Sequence, residues 1–306
     1  MKFRAGFLFP LLLFFFSGML PAQVPPWPME SDPARMVKGE TISNAELQAK
    51  KYHLASKRTT YSYRPRIPND SFPPHVQRTE IMYFNKTGNV LRDSTYDGIT
   101  YYLYNKKGFL SEIKKDTQIV SKLYYDPPGR LVKTVSFDEH NNPAGFIFFY
   151  YDNGKLVQRA DSGEFDYRRY AYTYDTKNRI SAIRQDYEMD SHIEYYTIFQ
   201  YNDSGIYVLD SSNESYIGGR YWKFDKKWNE LESAEDKEGH AKRVYSYNIE
   251  GDCISFVWFN GIPGQGDSGK IEYVYGDDGI LMESRNFNTQ SPHSISITTY
   301  SYTFYK

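Results

Sequence analysis

The chain has 306 residues, with 37 basic and 38 acidic side chains and a formal net charge of −1. This balance provides no global field that would attract nucleic acid or an anionic membrane surface, so we expect no nucleic-acid partner. The single cysteine, Cys253, excludes an intrachain disulfide. With 30 tyrosines and 20 phenylalanines but a mean hydropathy of −0.67, the composition favours strands with one aromatic and one polar face.

The N-terminus has the features of a secretory signal. A basic start is followed by an apolar stretch, Gly6–Met19, and by a small-residue exit at Ala22. This order predicts a signal peptide in residues 1–22 that is cleaved after Ala22. The stretch contains Pro10 and is shorter than the roughly 20 apolar residues that span a bilayer. We therefore expect a periplasmic or secreted chain without membrane association once the signal is removed.

A proline-rich leader follows in residues 23–76. Its repeated prolines disfavour regular sheet. Within it, Ser43 and Asn44 precede a run of helix formers, Ala45–Lys51, which predicts one short helix. The leader is therefore expected to be partly ordered at best, and the main domain is expected in residues 77–306.

The main domain repeats a short pattern, which decides the fold class. Each copy has an aromatic anchor, then Asn or Asp (Gly276 in the last copy), then Gly or Asn about four residues after the anchor, and then an aliphatic residue. Successive anchors are 20 to 28 residues apart, which leaves room for two strands and two turns. The nine anchors are Phe84, Tyr104, Tyr125, Tyr151, Tyr174, Tyr201, Phe224, Tyr247 and Tyr275.

This pattern predicts hairpin turns. An Asp or Asn side chain at the turn entry can accept backbone N–H bonds, and Gly at the later position adopts a positive φ without strain. The predicted repeat-turn residues are Tyr104, Asn105, Gly108, Tyr125, Asp126, Gly129, Tyr151, Asp152, Gly154, Tyr174, Asp175 and Asn178. Positive φ is also expected at Gly88, Gly205, Gly251, Gly279 and Asn229.

Strand alternation predicts an aromatic face. The anchor and the residue two positions before it share a face, as in Tyr172 with Tyr174 and Phe199 with Tyr201. Nine hairpins would give about eighteen strands, and an open twisted sheet rarely exceeds about ten without curling. We therefore expect an all-β fold of antiparallel hairpin repeats in a curled meander sheet or open shell, with the aromatic face on the concave side.

The string from Tyr125 to Leu131, Tyr-Asp-Pro-Pro-Gly-Arg-Leu, resembles the YD-repeat (Rhs-type) family. The resemblance covers roughly residues 80–285. It implies hairpins that coil into a curved sheet or shell, in an exported surface, adhesion, toxin-encapsulating or carbohydrate-binding protein. Because no separate domain is expected after Leu281, the resemblance implies a short member without a toxin domain.

The sequence contains no recognisable catalytic constellation. No two histidines have metal-ligand spacing, no Gly-x-Ser-x-Gly string occurs, and the acidic residues are explained by turn chemistry. We expect no catalytic residue, no metal and no cofactor. Cys253, just after a repeat turn, is expected to be a half-buried small apolar residue rather than a reactive thiol.

The predicted function is a noncatalytic binding or structural role at the cell envelope, with a glycan or an envelope protein as the partner. The candidate ligand-binding residues are Trp258, Trp222 and Tyr245, because exposed aromatic rings with a polar group suit such ligands. Phe149 and Phe199 are expected to be buried, whereas Trp258, beside a glycine-rich loop, is expected to be exposed. The sequence does not identify the oligomeric state.

Two alternatives remain. One is an outer-membrane β-barrel, which the signal and the many strands favour. Charged residues that interrupt the strands on both faces oppose it: Arg168, Arg169, Lys223 and Arg243. The other is a fragment or relative of a toxin-encapsulating YD-repeat shell.

Overall fold

The structure is a computed structural model that describes residues 44–65, 75–163, 167–187, 195–203, 205–212, 216–226, 229–235, 241–260, 267–288 and 294–306. The predicted signal peptide and the leader up to residue 43 lie outside these ranges. Within them the chain forms one helix, α1 (Asn44–Tyr52), and twenty strands. In the described part of the chain, α1 included, no helix combines the length and the apolar character needed to cross a bilayer.

The first ten strands are β1 (Leu54–Pro65), β2 (His75–Phe84), β3 (Val90–Thr95), β4 (Gly98–Tyr104), β5 (Leu110–Lys115), β6 (Gln118–Tyr125), β7 (Leu131–Phe137), β8 (Pro143–Asp152), β9 (Lys155–Gly163) and β10 (Tyr167–Tyr174). The last ten are β11 (Ile180–Tyr187), β12 (Tyr195–Tyr201), β13 (Gly205–Ser212), β14 (Tyr216–Phe224), β15 (Glu230–Ala234), β16 (Arg243–Tyr247), β17 (Cys253–Phe259), β18 (Ser268–Tyr275), β19 (Leu281–Asn288) and β20 (Ser294–Phe304).

The strands form one closed antiparallel barrel. Each strand pairs with the next one in the sequence, and β20 pairs with β1. Thr59 of β1 lies opposite both Tyr300 of β20 and Glu80 of β2, so the first strand joins the two ends of the sheet. This corrects the expected curled meander or open shell. The hairpin repeat determines only local pairing, whereas closure depends on a strand outside the predicted repeats.

That strand, β1, lies within the predicted leader. The prolines were expected to disfavour regular sheet throughout the leader, residues 23–76, but the run from Leu54 to Arg64 contains none. It carries Thr and Tyr residues in a row, which favour strands. The prediction was therefore wrong for β1, while α1 coincides with the predicted helical run Ala45–Lys51.

Helix α1 lies against the end of the barrel that carries the repeat turns, called here the turn end. Ala49 packs in a buried cluster with Phe84 and Val90, the residues on either side of the first repeat turn. The Tyr52 hydroxyl donates to the carbonyl of Gly279, in the ninth predicted turn, at 3.0 Å. The helix thus ties the first and last predicted repeats together across the closure.

Candidate functional site

One face of the barrel carries the anchors, and we call it the anchor face. Register places Tyr172 opposite Ile183 and Phe199 opposite Val208, and all four belong to one buried cluster. A second buried cluster on the same face contains Phe149. Side chains converge on the concave side of a closed sheet, so this burial identifies the anchor face as the inner one. The predicted burial of Phe149 and Phe199 is confirmed.

The anchor face lines a lumen. In the described part of the chain, extensive backbone contacts join only neighbouring strands, or α1 and β1. The backbones of opposite walls of the barrel therefore do not come into close contact. Because barrels of about 16 to 18 strands already enclose an aqueous channel, a barrel of twenty strands leaves an accessible inner surface.

The anchor tyrosines form a ladder of hydrogen bonds that the sequence analysis missed. The Tyr125 hydroxyl donates to the carbonyl of Leu110 at 2.8 Å, and Tyr151 donates to Leu131 at 3.0 Å. The same bond recurs in the pairs Tyr104 to Val90, Tyr174 to Leu156, Tyr201 to Ile180, Tyr247 to Glu230, Tyr275 to Cys253 and Tyr302 to Leu281. Each repeat with a tyrosine anchor is therefore bonded to the one before it, and the prevalence of Tyr over Phe at the anchors was the available signal.

Burial keeps these hydroxyls protonated. It raises the pKa of Tyr151 and of Tyr201 to about 12. A phenol with that pKa remains a hydrogen-bond donor at any physiological pH. The two anchors without a hydroxyl, Phe84 and Phe224, are almost fully buried, as expected for rings with no polar atom to satisfy.

The repeat turns have the geometry that the pattern predicts. The Asp175 carboxylate accepts the backbone N–H groups of Lys177 at 2.8 Å and Arg179 at 2.9 Å. These bonds, the Arg179 N–H foremost, hold the pKa of Asp175 below its ordinary value. The bond to the residue four positions on recurs at Asn85, Asn105, Asp126, Asp225 and Asn248. Positive φ occurs at Gly88, Gly108, Gly129, Gly154, Gly251, Gly279 and Asn178.

Two predicted turn positions were wrong. Gly205 does not have a positive φ, because its turn is one residue shorter and Gly205 already lies in β13 opposite Lys223. Asn229 does not take the place in its turn that the pattern predicted. It occupies the place of Arg179 in the Asp175 turn, and its N–H donates to Asp225 at 2.9 Å.

Two turns differ from the common form. Tyr151 and Asp152 lead into a tight turn in which both Asn153 and Gly154 have positive φ, the signature of a two-residue hairpin. At the end opposite the repeat turns, Asp138 accepts the N–H groups of His140 and Asn142, reproducing the repeat geometry where none was predicted.

The three predicted ligand-binding residues share the anchor face but do not form one site. Tyr245 packs against Phe256 with ring centroids 5.3 Å apart. Trp258 is half-buried rather than exposed, beside Gly269, where a Cβ would lie 2.5 Å from the indole. Trp222 packs at the edge of the largest buried cluster, two strands from Tyr245. Residues 261–266 of the glycine-rich loop lie outside the described part of the chain.

Trp222 borders a cavity of about 400 Å³ at the turn end of β13 and β14. Three directly opposed residue pairs form this end of the two strands, among them Ile206 with Trp222 and Tyr207 with Tyr221. The Tyr221 hydroxyl donates to Glu232 at 2.6 Å, which fixes its ring. The lining residues are Asn202, Ile206, Tyr207, Tyr221, Trp222 and Lys223. Ile206 and Trp222 belong to the anchor face, whereas Tyr207, Tyr221 and Lys223 lie on the outer face of the same two strands. We call this space the Trp222 cavity.

A second cavity lies on the anchor face at the seam, the region where β20, β1, β2 and β3 meet. Its volume is about 250 Å³. Lys57, Glu80 and Asp93 all contribute to its wall. None of these residues was predicted, because Lys57 falls in the presumed leader and the charges follow no motif.

The outer face carries ion-paired side chains among exposed apolar ones such as Leu103, Ile198 and Val274. Arg169 forms an ion pair with the directly opposed Asp186, Lys223 lies 3.0 Å from Glu232, and similar pairs occur on neighbouring strands. Arg168 and Arg243, in contrast, belong to the anchor face. The four charges that interrupt the strands are therefore divided between the two faces, as the sequence analysis expected.

The remaining candidates for a chemical role are the Cys253 thiol and groups of side chains that could bind a metal ion. Burial raises the pKa of the Cys253 thiol to about 11, so it is not a thiolate near neutral pH. Cys253 is half-buried, and its sulfur lies 3.5 Å from the carbonyl of Ser255. Among the described residues, no group of three His, Cys, Asp or Glu side chains is arranged to hold a metal ion.

No family model matches the chain, and no curated protein matches it. Among solved structures, a porin-like protein from Bacteroides uniformis is 10% identical, with a TM-score of 0.37 over 82% of this chain and 96% of its own. A porin-like protein from Bacteroides vulgatus is 9% identical, with a TM-score of 0.34 over 67% and 94%. The TcdB2-TccC3-TEV structure is 10% identical, with a TM-score of 0.32 over 78% of this chain and 19% of its own. These likenesses are too distant to carry an argument about function.

Proposed function

We propose that the chain is a noncatalytic binding protein of the cell envelope, a closed barrel that holds a glycan at the Trp222 cavity. The observation that carries the proposal is the cavity itself. Its volume of about 400 Å³ falls within the range of about 300 to 1,000 Å³ that is usual for ligand sites. Both the aromatic and the polar side chains that such a site needs border it.

The chemistry of the lining suits a sugar. The Trp222 indole offers a flat apolar surface with one N–H donor, and aromatic rings of this kind bind ligands that are apolar on one side and polar on the other. Asn202, at the turn, supplies an amide group for hydroxyls. An envelope protein that presents a similar group is the second partner in this class.

An outer-membrane barrel is the second candidate. Closure of an even number of strands and short regular turns at one end are features of such barrels, and closure by itself supports this candidate better than the soluble binding role. The charged side chains of the outer face oppose it, because an Arg or Lys facing lipid at the bilayer midplane costs about 2 to 4 kcal/mol. Arg169, Lys223 and Lys270 are outward-facing residues of this kind.

Fractionation decides between these candidates. Under the main proposal the mature protein is released in soluble form by osmotic shock or found in the medium, and it needs no detergent. Recovery only from detergent-solubilised outer membrane would contradict a soluble barrel and establish the second candidate.

Ligand binding tests the site. We expect a soluble oligosaccharide from a glycan array to bind the parent. We expect Trp222→Ala to weaken binding at least tenfold, because truncating a central aromatic contact commonly costs about 2 kcal/mol or more and tenfold corresponds to about 1.4 kcal/mol. Trp258→Ala is the matched control, since this indole lies on the same face but outside the cavity. Equal affinities for Trp222→Ala and parent, or no binding glycan at all, would refute the proposed site.

The proposal retains the resemblance to the YD-repeat family. The recurring Asx-capped turns and the tyrosine ladder support a common hairpin unit along the barrel. A relationship to toxin-encapsulating shells stays a prediction that a search of sequences closer to this chain would test.

A further inference from the structure

The seam cavity is bounded by four strands that bring the two ends of the barrel together. It is a separate space from the Trp222 cavity, on β20, β1, β2 and β3. Besides Met82, its wall contains Lys57, Thr59, Tyr61, Glu80, Asp93 and Tyr300. Acid, base, hydroxyl and apolar groups therefore border one small space.

The charged side chains of the seam cavity have specific neighbours. The Glu80 carboxylate accepts the Tyr61 hydroxyl at 3.0 Å and lies 3.3 Å from the Arg78 guanidinium. The Lys57 ammonium lies 4.5 Å from the centroid of the Tyr300 ring. Within the described part of the chain, Lys57 has no carboxylate within ion-pair distance. One carboxylate is thus fixed and neutralised, while the ammonium keeps donor capacity for another molecule.

Lys57 and Asp93 face the same space from either side of Met82. Register places Lys57 opposite Met82 and Met82 opposite Asp93, all on the anchor face. Neighbouring strands are about 4.8 Å apart, so the outer two backbones are separated by about 10 Å. A ligand resting on Met82 would lie within reach of an ammonium on one side and a carboxyl on the other.

Both groups are partly removed from water. Burial lowers the pKa of Lys57. Burial first, and then the neighbouring Glu80, raises the pKa of Asp93. These directions agree with a sheltered cavity in which each group gains from a hydrogen-bonding partner.

We propose, building on the binding function above, that the seam cavity binds one neutral sugar ring. Lys57 donates to the hydroxyls, the Asp93 carboxyl accepts from them, and Met82 and the edge of Tyr300 contact the apolar side of the ring. A neutral ligand fits because Arg78 balances Glu80 and Lys57 balances Asp93, so the cavity has no surplus charge for an ion. A single ring fits because about 250 Å³ lies below the usual range for larger ligands.

The experiment is calorimetric titration of the full mature chain with free glucose, galactose, mannose and N-acetylglucosamine, and with glucuronate as the charged probe. We expect one neutral sugar to bind, and Lys57→Met and Asp93→Asn each to weaken it at least tenfold. Lys115→Met is the matched control, since Lys115 is an exposed lysine on the same face and outside the cavity. Its affinity is expected to equal that of the parent. Circular dichroism verifies that each variant is folded, and either cavity variant alone suffices if the other does not fold.

Three results would overturn the proposal: no neutral sugar binds, binding is unchanged in both cavity variants, or only glucuronate binds. Oligosaccharide binding that depends on Trp222 is measured separately. Its loss would refute the Trp222 cavity while leaving a Lys57-dependent monosaccharide site intact, and the reverse pattern would refute the seam cavity alone.

Discussion

Two stretches of the anchor face use the same hairpin framework differently. In the arc from β5 to β14, inner side chains such as Leu131 and Phe199 are buried in apolar clusters. At the seam, the corresponding inner surface carries Lys57, Glu80 and Asp93 around a cavity. In both regions the turns and the tyrosine ladder hold the hairpins together. The other inner side chains are therefore free to form an apolar core in the arc and a polar site at the seam.

The seam is supported from the turn end. Ala49 of α1 and Leu54 at the start of β1 are each about 1% exposed, and they pack with Phe84 and Val90. This cluster supplies apolar burial beside the polar cavity. Closure of the barrel thus depends on the helix and β1, while the arc is stabilised by its own repeats.

The largest effect is expected in the arc. Phe199→Ala should lower the free energy of unfolding by about 3 to 5 kcal/mol, because it removes a ring that is 5% exposed from the largest cluster. Chemical denaturation measures the change. Tyr150→Ala, on the outer face with the ring 48% exposed, is the control and should stay within about 0.5 kcal/mol of the parent. Similar losses in both variants would remove the distinction between inner and outer faces.

Two turn glycines provide the next comparison. Gly108 and Gly129 both have positive φ, but a Cβ at Gly108 would meet nothing within 4 Å, whereas at Gly129 it would lie 2.6 Å from the Phe109 ring. Gly108→Ala should cost about 1 to 2 kcal/mol from backbone strain alone. Gly129→Ala should cost more, because the ring must also move. Equal denaturation midpoints for the two variants would indicate that Phe109 does not restrict the turn.

The tyrosine ladder predicts a smaller effect. Tyr125→Phe removes the bond to the Leu110 carbonyl and should cost about 0.5 to 1.5 kcal/mol, the usual net value of such a bond. The neighbouring Tyr124 faces outward with 46% of its surface exposed, so Tyr124→Phe is a matched control. Thermal unfolding of both variants checks the assignment, and a loss in Tyr124→Phe alone would contradict it.

Much of the hairpin unit could be predicted from the sequence, because its signals are local. The features that define a turn lie within five residues of one another, as in Asp175 with Asn178 or Tyr104 with Gly108. Closure could not be predicted in this way, since the pairing of Thr59 with Tyr300 joins positions far apart in the chain. The seam cavity was missed for the same reason: Lys57 and Asp93 become neighbours only after the barrel closes.

The smallest predicted effect is on the pH dependence of stability, which should differ between a turn of the arc, capped by Asp175, and the turn at the seam, capped by Asn85. Asp175 and Asn85 cap equivalent turns through the same backbone N–H bonds, but only Asp175 titrates. The pKa of Asp175 is lowered in the folded state, chiefly by the Arg179 N–H, so the carboxylate stabilises the fold above its unfolded pKa of about 3.9. That contribution is lost as pH falls through the lowered folded pKa. Denaturation midpoints from pH 7 to pH 2 should therefore fall less steeply for Asp175→Asn than for the parent, and the reverse change at the seam turn, Asn85→Asp, should steepen the fall. Parallel curves for all three proteins would show that the charge at the turn entry contributes nothing to stability. The cap would then consist only of the side-chain oxygen acceptor, which Asn and Asp share.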